Sequence, residues 1–172
     1  INPLLLCSPF QNWIASNNPF GGTPGLQNSV FSNLPDTQEP NLVDIIATTP
    51  NNLKLVFSEP MDSNSLAAAV FASSSNLIEI GRSILVNQPM EMEMTFAPNF
   101  VVSQAYNFSL ESVQDCAGNT TNMTGSFILP DTVAAGDVVI NEILFDPLTG
   151  GSDYVELYNR SSKVLDLFGW KL

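Results

Sequence analysis

Leu53-Lys54-Leu55-Val56-Phe57-Ser58 decides the fold: large apolar side chains at every second position, with Lys54, Val56 and Ser58 between them. A period of two places one set on one face of a β-strand and the other set on the opposite face. Working outward, the same alternation returns in Met90-Glu91-Met92-Glu93-Met94-Thr95-Phe96 and in Tyr106-Asn107-Phe108-Ser109-Leu110-Glu111. Each reads as a half-buried strand with one wet face, the antiparallel pattern. Further strand-like runs fall at 42–48, 77–80, 83–87, 124–129 and 137–145. Turn chemistry separates them at Thr49-Pro50-Asn51-Asn52, Ile80-Gly81-Arg82 and Ala117-Gly118-Asn119. Only Ser63–Phe71 reads as helical, capped by Asp62 or Ser63. Short strands at this spacing predict an all-β protein built on an antiparallel β-sandwich, with Leu55, Phe57, Phe96, Tyr106, Phe108, Leu110 and Phe127 turned inward.

Composition removes several functions. The chain has 172 residues, 44% of them apolar, enough for a folded core. Its 17 acidic and five basic residues give a net charge of −12, a field that repels nucleic-acid backbones and anionic lipid. No apolar run is long enough to span a bilayer, so membrane insertion is not expected. There is no histidine. Ser-His-Asp catalysis, Cys-His catalysis and His-ligated zinc are therefore excluded. Ile1–Cys7 lacks a positive leader and is too short for a signal-peptide core, so an export signal is expected outside these residues. The two cysteines, Cys7 and Cys116, have no metal-type spacing. They read either as one long-loop disulfide or, the favoured reading, as two unrelated residues in different domains.

Leu34-Pro35-Asp36-Thr37 recurs as Leu129-Pro130-Asp131-Thr132, and both copies read as linkers. They place linkers at 34–41 and 130–136 around a unit at 42–129, with flanks at 1–33 and 137–172. The apolar alternation still runs at Gly169-Trp170-Lys171-Leu172, so the chain is expected to be an excerpt of a longer protein.

Three stretches resemble known families. Leu55-Val56-Phe57-Ser58-Glu59-Pro60-Met61-Asp62, followed in order by Val113-Gln114-Asp115-Cys116-Ala117-Gly118-Asn119, resembles the two signatures of bacterial Ig-like domains of the S-layer type. Val139-Ile140-Asn141-Glu142-Ile143 with Asp153-Tyr154-Val155-Glu156-Leu157-Tyr158-Asn159 and Leu165–Leu172 resembles the start of a lamin-tail domain. Asn18–Val30, with its Gly21-Gly22-Thr23-Pro24-Gly25 core, is similar to the end of one. The resemblance implies an Ig-like β-sandwich between two partial lamin-tail-like flanks, as in large exported proteins of Bacteroidetes-type bacteria. It implies a secreted or cell-surface module that spaces or adheres, with no catalytic residues. It leaves open an accessory region of an extracellular hydrolase, and a substrate held as passenger by secretion machinery of the type IX kind. Partners implied are neighbouring domains of the same polypeptide, other surface proteins, glycans or that machinery. An open sandwich edge would also accept a partner's strand.

Individual candidates remain. Glu91 and Glu93 share a strand face about 7 Å apart, a glycosidase-like spacing, although solubilising the wet face explains them more simply. Glu59 and Asp62 flank Pro60-Met61 and are the calcium candidates; helix capping by Asp62 and a turn fixed by Pro60 is the favoured alternative. No other cofactor is implied. Asp115–Asn119 reads as a turn in which Asp115 accepts backbone N–H bonds and Gly118 and Asn119 tolerate positive φ. Glu142, Glu156 and Asn159 read as strand-end polar groups; without histidine, no nucleophile–base pair can be assembled around them short of invoking Lys163, a poor choice of base. Asp131-Thr132-Val133 resembles an O-glycan acceptor of Bacteroidetes exports, placing Thr132 as a modification site; an Asx turn after Pro130 is the alternative. Asn107, Asn119, Asn122 and Asn159 open formal sequons, relevant only in a eukaryotic secretory pathway.

Overall fold

A computed structural model describes residues 13–84, 90–146 and 148–170. The chain divides into two units. The first comprises residues 1–99 and 106–127, the second 100–105 and 128–172.

The first unit is an antiparallel sandwich. One sheet holds β1 (Leu42–Thr49), β2 (Asn52–Phe57), β4 (Ile78–Ile84) and β5 (Glu91–Ala97), in the order β1-β2-β5-β4. The other holds β3 (Val70–Ser73), β6 (Ala105–Gln114) and β7 (Thr120–Ile128), in the order β3-β6-β7. The alternation seen in the sequence sets which faces meet. Leu53, Leu55 and Phe57 of β2 and Met92, Met94 and Phe96 of β5 are buried. Across from them are Tyr106, Phe108 and Leu110 of β6 and Met123 and Phe127 of β7, also buried. All seven side chains expected to point inward do so. Gly125 of β7 admits no side chain: a Cβ there would lie 2.5 Å from Ile45 Cδ1 and 2.8 Å from Phe108 Cζ. The glycine thus lets β1 and the β6 aromatic close over β7.

Two local expectations are corrected. The helix α1 spans only Ser63–Ala68, and Val70–Ser73 forms β3 instead of a last helical turn. Ala67-Ala68-Ala69 favours helix, but Val70 and Phe71 find partners in Glu111 and Leu110 of β6, and that pairing wins. Ile80-Gly81-Arg82 is not a turn between strands. β4 runs through it, paired to β5 from Ile78↔Ala97 to Ile84↔Met92, with a register shift between Glu79 and Gly81. The expected strand at 83–87 is thus the end of β4 as far as Ile84, and its residues 85–87 lie outside the described residues. Arg82, displaced by that bulge, holds Glu79 through two 2.7 Å bonds and donates to the carbonyls of Leu66 and Ala69. It thereby satisfies acceptors left over at the C-terminal end of α1.

Cys116 is disulfide-bonded, which corrects the preference for unrelated cysteines; Cys7 lies outside the described residues. Assignment to different domains, the basis of that preference, does not decide whether a half-buried turn cysteine is oxidised.

In the second unit β8 (Val138–Leu144) and β9 (Tyr154–Asn159) form an antiparallel hairpin with a register shift between Ile140 and Glu142. Val102 bridges Leu129 in parallel, as Asp131 bridges Leu165. The hairpin leaves Ile140, Ile143, Tyr158 and the following Phe145 exposed. No helix among the described residues is long and apolar enough to cross a membrane.

Candidate carboxyl cluster

The two signature segments, far apart in sequence, lie side by side. Met61 bridges Asp115, Cys116 N donates to Pro60 O at 3.1 Å, and Asp62 N donates to Gln114 O at 2.9 Å. The turn after β2 is thus pinned against the end of β6. This brings Glu59 to Asp115, and the incoming segment adds Asp36. One carboxylate oxygen from each of the three lies within 4.8 Å of the others.

The three carboxyls have different tasks. Asp115 is 2% exposed, and both its oxygens are engaged. Its Oδ1 accepts from the backbone N–H of Ala117, Gly118 and Asn119 at 2.7–2.8 Å, and its Oδ2 from Asn119 Nδ2 at 2.7 Å. A single carboxylate therefore organises the whole turn, with Gly118 at φ +101° completing it. Asn119 Nδ2 also reaches the carbonyl of Asp36 at 3.4 Å, tying the incoming segment to this turn. Glu59 is the perturbed group. Burial, then the charges of Asp36 and Asp115, then a hydrogen bond with Asp36 push its pKa up to about 7. Near neutrality Glu59 is a proton donor to Asp36 half of the time, which is how three acids tolerate each other.

The sign of the pH dependence follows. The folded chain holds a proton on Glu59 that the unfolded chain releases at its ordinary value of 4.5. Stability from this group is complete below that value, declines as pH rises through about 7, and is flat above. Glu59→Gln keeps the donor and removes the titration. We expect the variant to be more stable than the parent at pH 8.5 by roughly 1 kcal/mol, the full shift being discounted for solvent screening, and to show no advantage at pH 5. Urea titrations at the two pH values measure this, and an equal difference at both would remove the assignment.

Asp62, the other sequence candidate for calcium, serves elsewhere: its Oδ1 accepts from Ser65 N at 2.7 Å as the N-cap of α1. Asp36, which the sequence offered only as part of a repeated linker motif, takes a place beside Glu59. Saturation of Asp115 leaves this cluster few oxygens for a cation that takes six to eight. Glu91 forms an ion pair with Lys54 at 2.8 Å, and Glu93 is exposed on the same wet face. Glu142 and Glu156 sit directly opposite in the β8–β9 hairpin, with Tyr154 O–H donating to Glu142 at 2.7 Å. Asn159 organises the next turn through Ser161 N and the carbonyl of Lys163. Lys163 pairs with Asp137 at 2.9 Å and donates to the carbonyl of Thr132. The Ala134 N–H and that lysine hold the Asp137 carboxyl below its usual range. Thr132 itself is exposed, and its N–H bonds to Asp131 Oδ1 at 2.7 Å in a local turn.

Comparison with known proteins gives two family matches. The model of the bacterial Ig-like domain matches residues 29–128, and that of the lamin tail domain matches residues 131–172. No curated protein sequence matches the chain. Solved structures similar to it include the S-layer protein rSbsC, at 16% identity and a TM-score of 0.49 over 61% of this chain. Domains 1–6 of the surface layer protein SbsC match at 14% identity and 0.46 over 62%. The N-terminal part of the bacterial S-layer protein SbsC matches at 14% and 0.45 over 61%. The chain spans 15%, 16% and 26% of those three structures, respectively. Likeness at this level carries no functional argument.

Proposed function

The chain belongs to the bacterial Ig-like domain family, and from that premise we propose that it is a non-catalytic spacer within an exported surface protein. The observation that carries this reading is the tandem order. The Ig-like match ends at residue 128 and the lamin-tail match begins at 131. One module thus follows another with almost no intervening chain, the layout of a string of rigid units. The sandwich suits such a role because its core is shared by two sheets and its chemistry is spent internally. Asp115 binds its own turn, Asp62 its own helix, and Arg82 the end of that helix. A disulfide at Cys116 fits an oxidising compartment.

Proteinase K shaving of intact cells of the source bacterium tests the location. Peptides of this chain should be released while a cytosolic marker stays intact; recovery only after lysis removes the surface assignment. Exchange of residues 42–129 for an unrelated sandwich of equal length tests the spacer role. The exchange should preserve the host protein's surface activity, and deletion of the same residues should impair it. Loss of activity on exchange would show that the module recognises something specific and is not a spacer.

A further inference from the structure

The connection between β5 and β6 does not stay with its sandwich. Residues 100–105 fall inside the Ig-like match of 29–128, yet they belong to the second unit together with 128–172. The chain therefore passes from one unit to the other three times, at 99/100, 105/106 and 127/128. Within the second unit this loop is bonded to both of the segments it meets. Val102 bridges Leu129 in parallel, and Ser103 N donates to Leu129 O at 2.9 Å. Two residues on, Asp131 bridges Leu165 in parallel, and its N–H donates to Val164 O at 2.8 Å. One side chain closes the ring: Val164 N donates to Ser103 Oγ at 3.1 Å. Segments 102–103, 129–131 and 164–165 are thus tied to one another through Ser103.

We propose that residues 100–105 are a strap that the Ig-like module lends to the lamin-tail module, so that segments 129–131 and 164–165 of the second unit open whenever the β5–β6 connection opens. The backbone of Ser103 points the same way. Its φ is +60°, in the left-handed region that favours glycine. A serine held there costs stability that glycine would spare, and such strain persists only where the surroundings enforce it. What glycine lacks is the hydroxyl, and that hydroxyl is the acceptor for Val164 N. The hold of Lys163 on Thr132 O and Asp137, by contrast, uses no atom of the loop. The contribution of the strap is therefore read at Val164. The coupling is independent of the spacer role, since it concerns how the two modules open and not what they serve.

Hydrogen exchange of the full chain, resolved by residue and followed through rising urea below the unfolding midpoint, tests this. In the parent, the amides of Ser103, Asp131 and Val164 should exchange through one shared opening with a common urea dependence. Ser103→Gly removes the hydroxyl while relieving the backbone. The Val164 amide should then exchange about tenfold faster, while the amides of β2 and β5 keep the protection they have in the parent. Ser103→Ala, which keeps the strain, should speed Val164 likewise. A folded Ser103→Gly chain that protects Val164 as well as the parent does overturns the proposal, because the loop would then be a strained turn with no hold on the second unit. So does a parent in which Ser103 opens at low urea while Asp131 and Val164 stay closed. Should neither variant fold, the urea dependence in the parent decides.

Discussion

Asp115→Ala is expected to lower the free energy of unfolding by roughly 3–5 kcal/mol, a large share of what a domain of this size has. Three backbone N–H groups and one side-chain amide donate to this carboxylate. At 2% exposure no water stands ready to replace it. Truncation leaves the donors of residues 117–119 without their acceptor and releases the turn that holds Met61 against residue 115. Asp115→Asn is a finer probe. It keeps one acceptor oxygen for the backbone donors but turns a donor toward Asn119 Nδ2, so the loss should be intermediate, about 1–2 kcal/mol. Urea titration followed by far-UV circular dichroism reads both. An Asp115→Ala variant within 1 kcal/mol of the parent would mean that the turn forms without its carboxylate. The same substitution removes one of the charges that raise Glu59, so the pH decline assigned to Glu59 should shift to lower pH.

The sandwich was legible because one sheet face is wet. Wherever Lys54, Glu91, Glu93 or Asn107 separates apolar neighbours, the sequence itself records which side is core. The turn at Asp115–Asn119 was equally legible, since its residue types serve a local hydrogen-bond pattern. What stayed hidden depends on partners distant in sequence. Val70–Ser73 looks like helix until β6 is beside it, and Gly81 reads as a turn until β5 pairs on both sides of it. Asp36 could not be singled out. Its proximity to Glu59 and Asp115 is created by folding alone, and its local motif recurs at Asp131, whose backbone N–H bonds Val164 O and whose side chain bonds Thr132 N. Asp62 was legible as a cap, the role its bond from Ser65 N gives it, whereas adjacency in sequence says little about where its carboxylate and that of Glu59 point.

Phe96→Ala should cost about 3–5 kcal/mol, the range for removing a fully buried aromatic side chain. Its ring is where the two sheets grip each other. Phe96 belongs to β5, and its neighbour Phe71, 4.9 Å away between centroids and tilted by 49°, belongs to β3 of the opposite sheet. From Phe71 the contacts continue within the second sheet, to Phe108 at 5.5 Å, then to Phe127 at 6.3 Å, which stacks on Tyr106 at 5.2 Å. Loss of Phe96 therefore removes its own burial and also the first sheet's hold on the end of that row. Phe71→Ala should cost less, because Phe71 is only half-buried. A double-mutant cycle between the two isolates the contact, with an expected coupling of about 0.5–1.5 kcal/mol. Additive losses would place the adhesion between sheets in the aliphatic and methionine layer instead, where Leu53, Leu55, Met92, Met94 and Leu110 lie. Phe96→Leu would then be nearly as stable as the parent, since that layer asks only for apolar volume. If the rings carry the contact, leucine restores volume without restoring the tilted pair, and part of the loss persists.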